Sequence, residues 1–529
     1  MAGGRSKLVN LDAMIRRADF AINDPVDSTT YETIQTIGLR DLSSDGLISA
    51  ALRKPDFQRE TNHWGPDQVV SLLECFVNGD LIPSVILWKS SSYLFVIDGG
   101  HRLSVLRAWV EDDYGDGPTS TTFFGNSIPM EQRRAAAQVR TLVANHIGTL
   151  QHVQARIKAG DAVGDELRKL QTISARGLGI QWVQGNADKA EASFFKINTK
   201  GTPLDNIETL LLSNRRKPIA IAARAVIRSG KGHKYWSSFS KDAQTGVEEL
   251  AAKLHLTLFE PEVSTPIKTL DLPLGGSKGI RTALEVLIDF ILYANQGQSG
   301  KPARVSDQDD DESGSATVEC LRRAVRLAQR ITGNDGGSLG LLPAIYFYGP
   351  TGRHVSPLFL GTARLIGKKL ANNDDLFFTK FTTVRERLEL LLIRHKDLIA
   401  TILQKTISHK RVDRYSELLD RTVTRLYDNQ SVSESDLVND SGLIGKIVVG
   451  KEAEAGSNFT DDVKSATFIK SALNSAITCP ICKGYLDPTK SVSYDHIQPK
   501  SGGGKGVEEN CQLTHPYCNQ AVKGNSFNT

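Results

Sequence analysis

The chain has 529 residues, 40% hydrophobic and 23% charged, with a formal net charge of +4. That length exceeds one core and calls for about two to four domains, while the composition excludes fibrous and disordered classes. The near-balanced charge does not by itself identify a polyanion binder. No apolar run is long enough for a membrane span and no signal-peptide pattern opens the chain, so no membrane partner and a cytoplasmic location are expected.

In chain order, residues 67–77 repeat apolar positions at helical spacing and stop at Asn78-Gly79. Residues 83–88 and 93–98 form two short β-rich runs with a polar turn between them, a hairpin. Asp98-Gly99-Gly100 then turns into a helical pattern. From about 130 to 295 the pattern is mainly helical, with a glycine-containing turn inside 194–212. Residues 296–316 are polar, acidic and rich in Gly and Ser, which predicts a mobile loop or linker. Helical periodicity resumes over 317–427, and the polar stretches 429–440 and 451–464 read as connectors.

Six cysteines are too few for a disulfide framework. Cys75 and Cys320 stand alone, whereas Cys479, Cys482, Cys511 and Cys518 crowd together. Cys479-Pro-Ile-Cys482 places two thiolates on one knuckle, and His515-Pro-Tyr-Cys518 places an imidazole and a thiolate on another. Together they close a tetrahedral site with no open position, which is the pattern of a structural zinc in a segment too small to fold unaided. Cys511 could replace His515, but its spacing to Cys518 is long for a knuckle, and it reads as a buried thiol.

Between the knuckles the chain carries Asp495-His496, Asn510 and Cys518-Asn519. Over about 479–525 it resembles the HNH endonuclease family, with its ββα-metal fold. The resemblance implies that His496 is the general base, that Asp495 and Asn519 hold one catalytic divalent ion, and that Asn510 orients the histidine or its loop. Oxygen ligands suit Mg²⁺ or Mn²⁺. Lys500, Lys505 and Lys523 are candidates for the DNA backbone. In the alternative reading Asp495-His496 caps a turn, and the segment is a zinc ribbon without catalysis.

Asp98-Gly-Gly-His-Arg102 follows a strand and opens a helix, so backbone amides, His101 and Arg102 can face an anion. The same residues also make an ordinary tight turn. With Asp56-Phe-Gln-Arg59, Trp64, Ile82-Pro83 and FFKINTKGTPL at 194–204, residues 35–215 resemble the ParB/sulfiredoxin-like N-terminal domain of GmrSD-type restriction proteins and SspE. The resemblance implies a pocket that binds or hydrolyses a nucleoside triphosphate and licenses the nuclease. Arg59, Asp98, Gly99, His101 and Arg102 are the carried-over residues, the arginines on phosphates and Asp98 on loop geometry, metal or water. The departure is Gly100-His101, where that family often has two glutamines. Asn198 and Trp64 read as structural.

The fold class expected is α+β multidomain. A ParB/sulfiredoxin-like α/β nucleotide-binding domain occupies 1–225, a mainly helical domain 226–430, and a connector with a zinc-stabilised HNH domain 431–529. These resemblances imply a DNA endonuclease of prokaryotic antiphage restriction, gated by nucleotide and by foreign or modified DNA. A second copy of the chain or other defence proteins are the further partner classes. A ParB-like, nucleotide-gated DNA-binding protein with a zinc-ribbon tail is the rival.

Overall fold

The computed structural model describes residues 8–18, 20, 34–56, 58, 61–90, 92–125, 128–200, 206–231, 233–276, 280–298, 304–443 and 458–522. They cluster into two compact units, one spanning Met1–Arg215 with Lys231–Tyr235, the other Arg216–Gly230 with Trp236–Thr529.

The first unit is built on a mixed sheet. Its strands are β1 (Arg17–Ala18), β2 (Thr36–Gly38), β3 (Leu52–Pro55), β4 (Val85–Lys89), β5 (Leu94–Asp98) and β6 (Gly177–Trp182), in the order β1-β3-β5-β4-β6-β2. The β4–β5 hairpin is antiparallel and pairs Leu87 with Val96 and Trp88 with Phe95. Ser90 closes its turn, accepting the Tyr93 amide at 3.0 Å. Strand alternation sends neighbouring side chains to opposite faces, and both faces are covered. Val85, Leu87 and Val96 pack against Val69, Leu73 and Phe76 of helix α1 (Pro66–Asn78) and Leu103 and Leu106 of α2 (Gly100–Glu111). Trp88, Phe95 and Ile97 pack with Phe20 and with Ala190 and Phe194 of α3 (Ala187–Lys200).

Helix α1 starts with Pro66 in its first turn, where no amide partner is needed, and stops at Gly79 in the left-handed conformation. Strand β6 interrupts a stretch whose pattern is mainly helical. Its sequence Gly-Leu-Gly-Ile-Gln-Trp alternates with period two, which suits a strand filling the place between β4 and β2.

The second unit is helical, with a small C-terminal hairpin of β7 (Ser493–His496) and β8 (Cys511–Thr514). The described part of the acidic segment 296–316 is a loop before the helix at Ser315, but it is fastened in place rather than a free linker. Asp311 is buried, and its carboxylate caps helix α4 (Ser315–Ile331) by accepting Gly314 N at 2.8 Å, Thr317 N at 2.7 Å and Thr317 Oγ1 at 2.7 Å. Its own amide donates to Arg216 O, and Lys217 pairs with Asp310 at 3.0 Å. Acidic composition here serves helix capping and ion pairing. The polar stretch 429–440 likewise contains a helix, Glu434–Asp440, capped by Ser433.

Candidate active site

The Cys479–Cys482 knuckle is a tight turn in which Cys479 N donates to Gly484 O at 2.8 Å and Lys483 N donates to Cys479 O. Cys479, Cys482, His515 and Cys518 are all buried, and their ligand atoms lie within 4.8 Å of one another. His515 Nε2 meets Tyr485 O at 3.0 Å, which fixes Nε2 as the protonated nitrogen and turns Nδ1 toward Cys482 Sγ at 3.3 Å. Hydrogen bonds from Cys482 and Cys518 hold the Cys479 thiol well below its usual range. The same bonding with Cys479 pushes Cys482 up to about 11 and Cys518 higher still. A dication held among these sulfurs would favour their thiolate forms. Three thiols and an imidazole fit a closed tetrahedral zinc.

Buried polar contacts fasten this knuckle to the helical body. Arg385, on helix α5 (Arg385–Arg394), pairs with Glu389 at 2.8 Å, and Glu389 accepts Tyr485 N at 2.7 Å and Tyr346 OH at 2.9 Å. Arg385 also donates to the carbonyls of Leu339 and Gly340. Tyr517 N donates to Ser338 O, and Ser491 Oγ to Gly333 O at 2.7 Å.

The hairpin carries the candidate nuclease residues. Asp495 faces Gln512 and His496 faces Cys511 in the β7–β8 register. Asp495 is buried, and Gln512 Nε2 donates to its Oδ2 at 2.8 Å. His496 is half-buried and is the last residue of β7. Asn519 Nδ2 donates to Ser493 Oγ at 2.7 Å and contacts Tyr494 O at 3.5 Å, so it lies against the strand that carries Asp495 and His496.

Asn510 clasps the loop that follows. Its Oδ1 accepts Gln498 N at 2.7 Å, and its Nδ2 donates to Gln498 O at 3.1 Å and Lys505 O at 2.8 Å. A side chain at Gly504 would place its Cβ 1.8 Å from Gln498 O, so only glycine fits the clasp. Lys500 and Lys505 are exposed on this loop, and Lys523 lies outside the described residues. Cys511 is exposed on β8, not buried, because it sits at the end of a ribbon of only two strands among the described residues.

In the first unit, Gly99 has φ +94°, and a Cβ there would approach Val85 Cγ1 to 2.6 Å. Glycine is therefore required where β5 turns into α2. Arg102 donates to Asp98 Oδ2 at 2.6 Å and to Ser84 O at 3.3 Å, so acid and base brace the turn between them. His101 stacks on Trp64, centroids 5.4 Å apart, and Gln58 lies beside Gly100. Arg59 and the side chain of Asn198 lie outside the described residues.

The segment before α1 is pinned by a buried ion network. Asp12 pairs with Lys54 at 2.7 Å and with Arg17, and accepts Thr61 N at 3.1 Å. Burial alone would raise the Asp12 pKa, but the two cations hold it well below the usual carboxylate range.

Sequence reasoning missed Gln512 and Gln58, whose roles depend on strand register and a distant loop. Within Cys-Gln-Leu-Thr, only the pairing with β7 distinguishes Gln512.

Residues 39–215 match the family described as GmrSD restriction endonuclease, N-terminal domain. Residues 479–524 match the HNH endonuclease family. Searches of curated proteins and of solved structures find no match.

Proposed function

The chain joins a GmrSD-type N-terminal domain to a C-terminal HNH endonuclease domain, and from that premise we propose that it is a metal-dependent DNA endonuclease of antiphage restriction, gated by a nucleoside triphosphate. The observation that carries the nuclease reading is the hairpin itself, with Asp495, His496 and Asn519 on or against one strand beside a cluster that fits zinc.

His496 is the general base that takes a proton from the attacking water. Asp495, oriented by Gln512, and the side-chain oxygen of Asn519 would hold one Mg²⁺ or Mn²⁺. That ion, when bound, neutralises charge developing on the phosphate and the leaving oxygen. Asn510 holds the loop bearing Lys500 and Lys505 against the end of β7, where the lysines meet backbone phosphates. Cys479, Cys482, His515 and Cys518 would hold a zinc ion that fastens this frame and leaves no open position for hydrolysis.

The nucleotide reading rests on the Gly99 turn. Arg102 Nε and Gln58 Oε1 are buried there with no hydrogen-bond partner among the described residues. A phosphate group supplies an acceptor to the first, and a ribose or base donor suits the second. Gly99, His101, Arg102, Asp98 and Arg59 form the proposed nucleotide site.

Cleavage of supercoiled plasmid and of phage DNA, with Mg²⁺ or Mn²⁺ and with or without each nucleoside triphosphate, tests the reading. Metal-dependent nicking or cutting that changes with nucleotide is expected. DNA binding without cleavage under every condition would favour the nucleotide-gated clamp.

A further inference from the structure

A cavity of the first unit lies away from the Gly99 turn. It measures about 810 Å³ and is lined by Arg16, Ser49, Arg53, Arg107, Thr119 and Thr122 among others. Leu52 and Arg53 pair with Leu94 and Phe95, so this lining belongs to the amino end of β5, whereas Asp98 and Gly99 leave its carboxyl end. Helix α2 spans the two places, with Arg102 in its first turn and Arg107 farther along.

We propose that this cavity is a second anion site, which binds a small phosphate-bearing ligand. Ser49 is 4% exposed, and its Oγ has no hydrogen-bond partner among the described residues; Arg107 Nε is likewise buried without one. Leaving such groups unpaired costs about 1–3 kcal/mol each, a cost that an oxygen-rich ligand removes. Arg53 is already positioned, donating to Ala50 O and Leu52 O at 2.8 Å each and lying 4.5 Å over the Tyr93 ring.

Charge points the same way. Burial lowers the Arg107 pKa, Glu111 opposes that, and the nearby Arg16 and Arg53 lower it further, so positive charge from three guanidinium groups gathers at the cavity. Guanidinium forks and hydroxyls match the several oxygens of a phosphate better than a single carboxylate. The volume lies in the range of small-molecule sites and excludes a DNA duplex.

Titration calorimetry of the full chain with inorganic pyrophosphate tests this, using wild type, Arg16→Gln, Arg107→Gln and Arg102→Gln. Wild type is expected to bind, and both cavity variants to lose about tenfold or more in affinity, from the charged hydrogen bonds removed. Arg102→Gln should keep that binding. Arg16 is exposed, so Arg16→Gln decides alone if Arg107→Gln does not fold. Absent binding in wild type, unchanged affinity in Arg16→Gln, or binding abolished by Arg102→Gln overturns the site. Displacement of pyrophosphate by a short DNA duplex would assign the cavity to nucleic acid and overturn it equally.

Discussion

Asp495 is a buried carboxylate with one oxygen committed to Gln512, 2.8 Å away. In the proposed role of metal ligand, Asp495 would have its orientation set before any ion arrives. Gln512→Leu keeps the volume and removes the donor, so the rate of DNA cleavage at limiting Mg²⁺ should fall about 10–100-fold. Saturating Mg²⁺ should recover part of the loss, and the melting temperature should move little. An unchanged rate at limiting metal would remove Gln512 from the site. Asp495 and His496 stand out in the sequence as candidates because they are covalent neighbours flanked by two knuckles. Gln512 does not, because its importance comes from a pairing seventeen positions away in the chain.

Elements differ in how openly their sequence declares them. Helix α1 was legible from its apolar spacing and the Asn78-Gly79 stop, and the β4–β5 hairpin from two β-rich runs around a polar turn. Strand β6 was hidden because two of its six residues are glycine, which weakens any strand signal. The acidic stretch before α4 looked like a linker, since composition does not reveal that Asp311 is buried as a cap. The helix Ile280–Ala294 carries a pH-dependent element of stability. Burial, and then repulsion from Glu285, raises the Asp289 pKa from 3.8 to about 6. The folded chain therefore binds this proton more tightly than the unfolded one, and the stability it contributes below pH 3.8 is lost as pH rises through about 6. Asp289→Asn should be more stable than wild type at pH 7.5, by up to about 3 kcal/mol, with the gap closing toward pH 4.5. Thermal melts at the two pH values check this; a gap that does not change with pH would contradict it.

At the scale of the whole molecule, the helical middle and the zinc-binding tail form one compact unit rather than a body with an appended domain. Charged and polar groups run from Arg385 through Glu389 to Tyr485, beside the metal cluster. No sequence pattern announces this, because Arg385 and Tyr485 are a hundred residues apart and each looks unexceptional alone. A structural role for zinc follows. Treatment with a strong chelator should release the ion, lower the melting temperature and abolish cleavage. Zn²⁺ added with Mg²⁺ should restore activity, and Mg²⁺ alone should not. Recovery with Mg²⁺ alone would mean that the four-residue cluster is not required for the fold of the nuclease.

In the proposed mechanism the hairpin cuts DNA through His496. Wild type and His496→Ala, each shown to retain its zinc and its ability to bind DNA, should be compared on supercoiled plasmid in Mg²⁺ or Mn²⁺ with nucleoside triphosphate present. Relaxed or linear product is expected from wild type and none above background from the variant. Equal cleavage by both proteins, or zinc retention and DNA binding with no cleavage by either on plasmid or phage DNA, would contradict it.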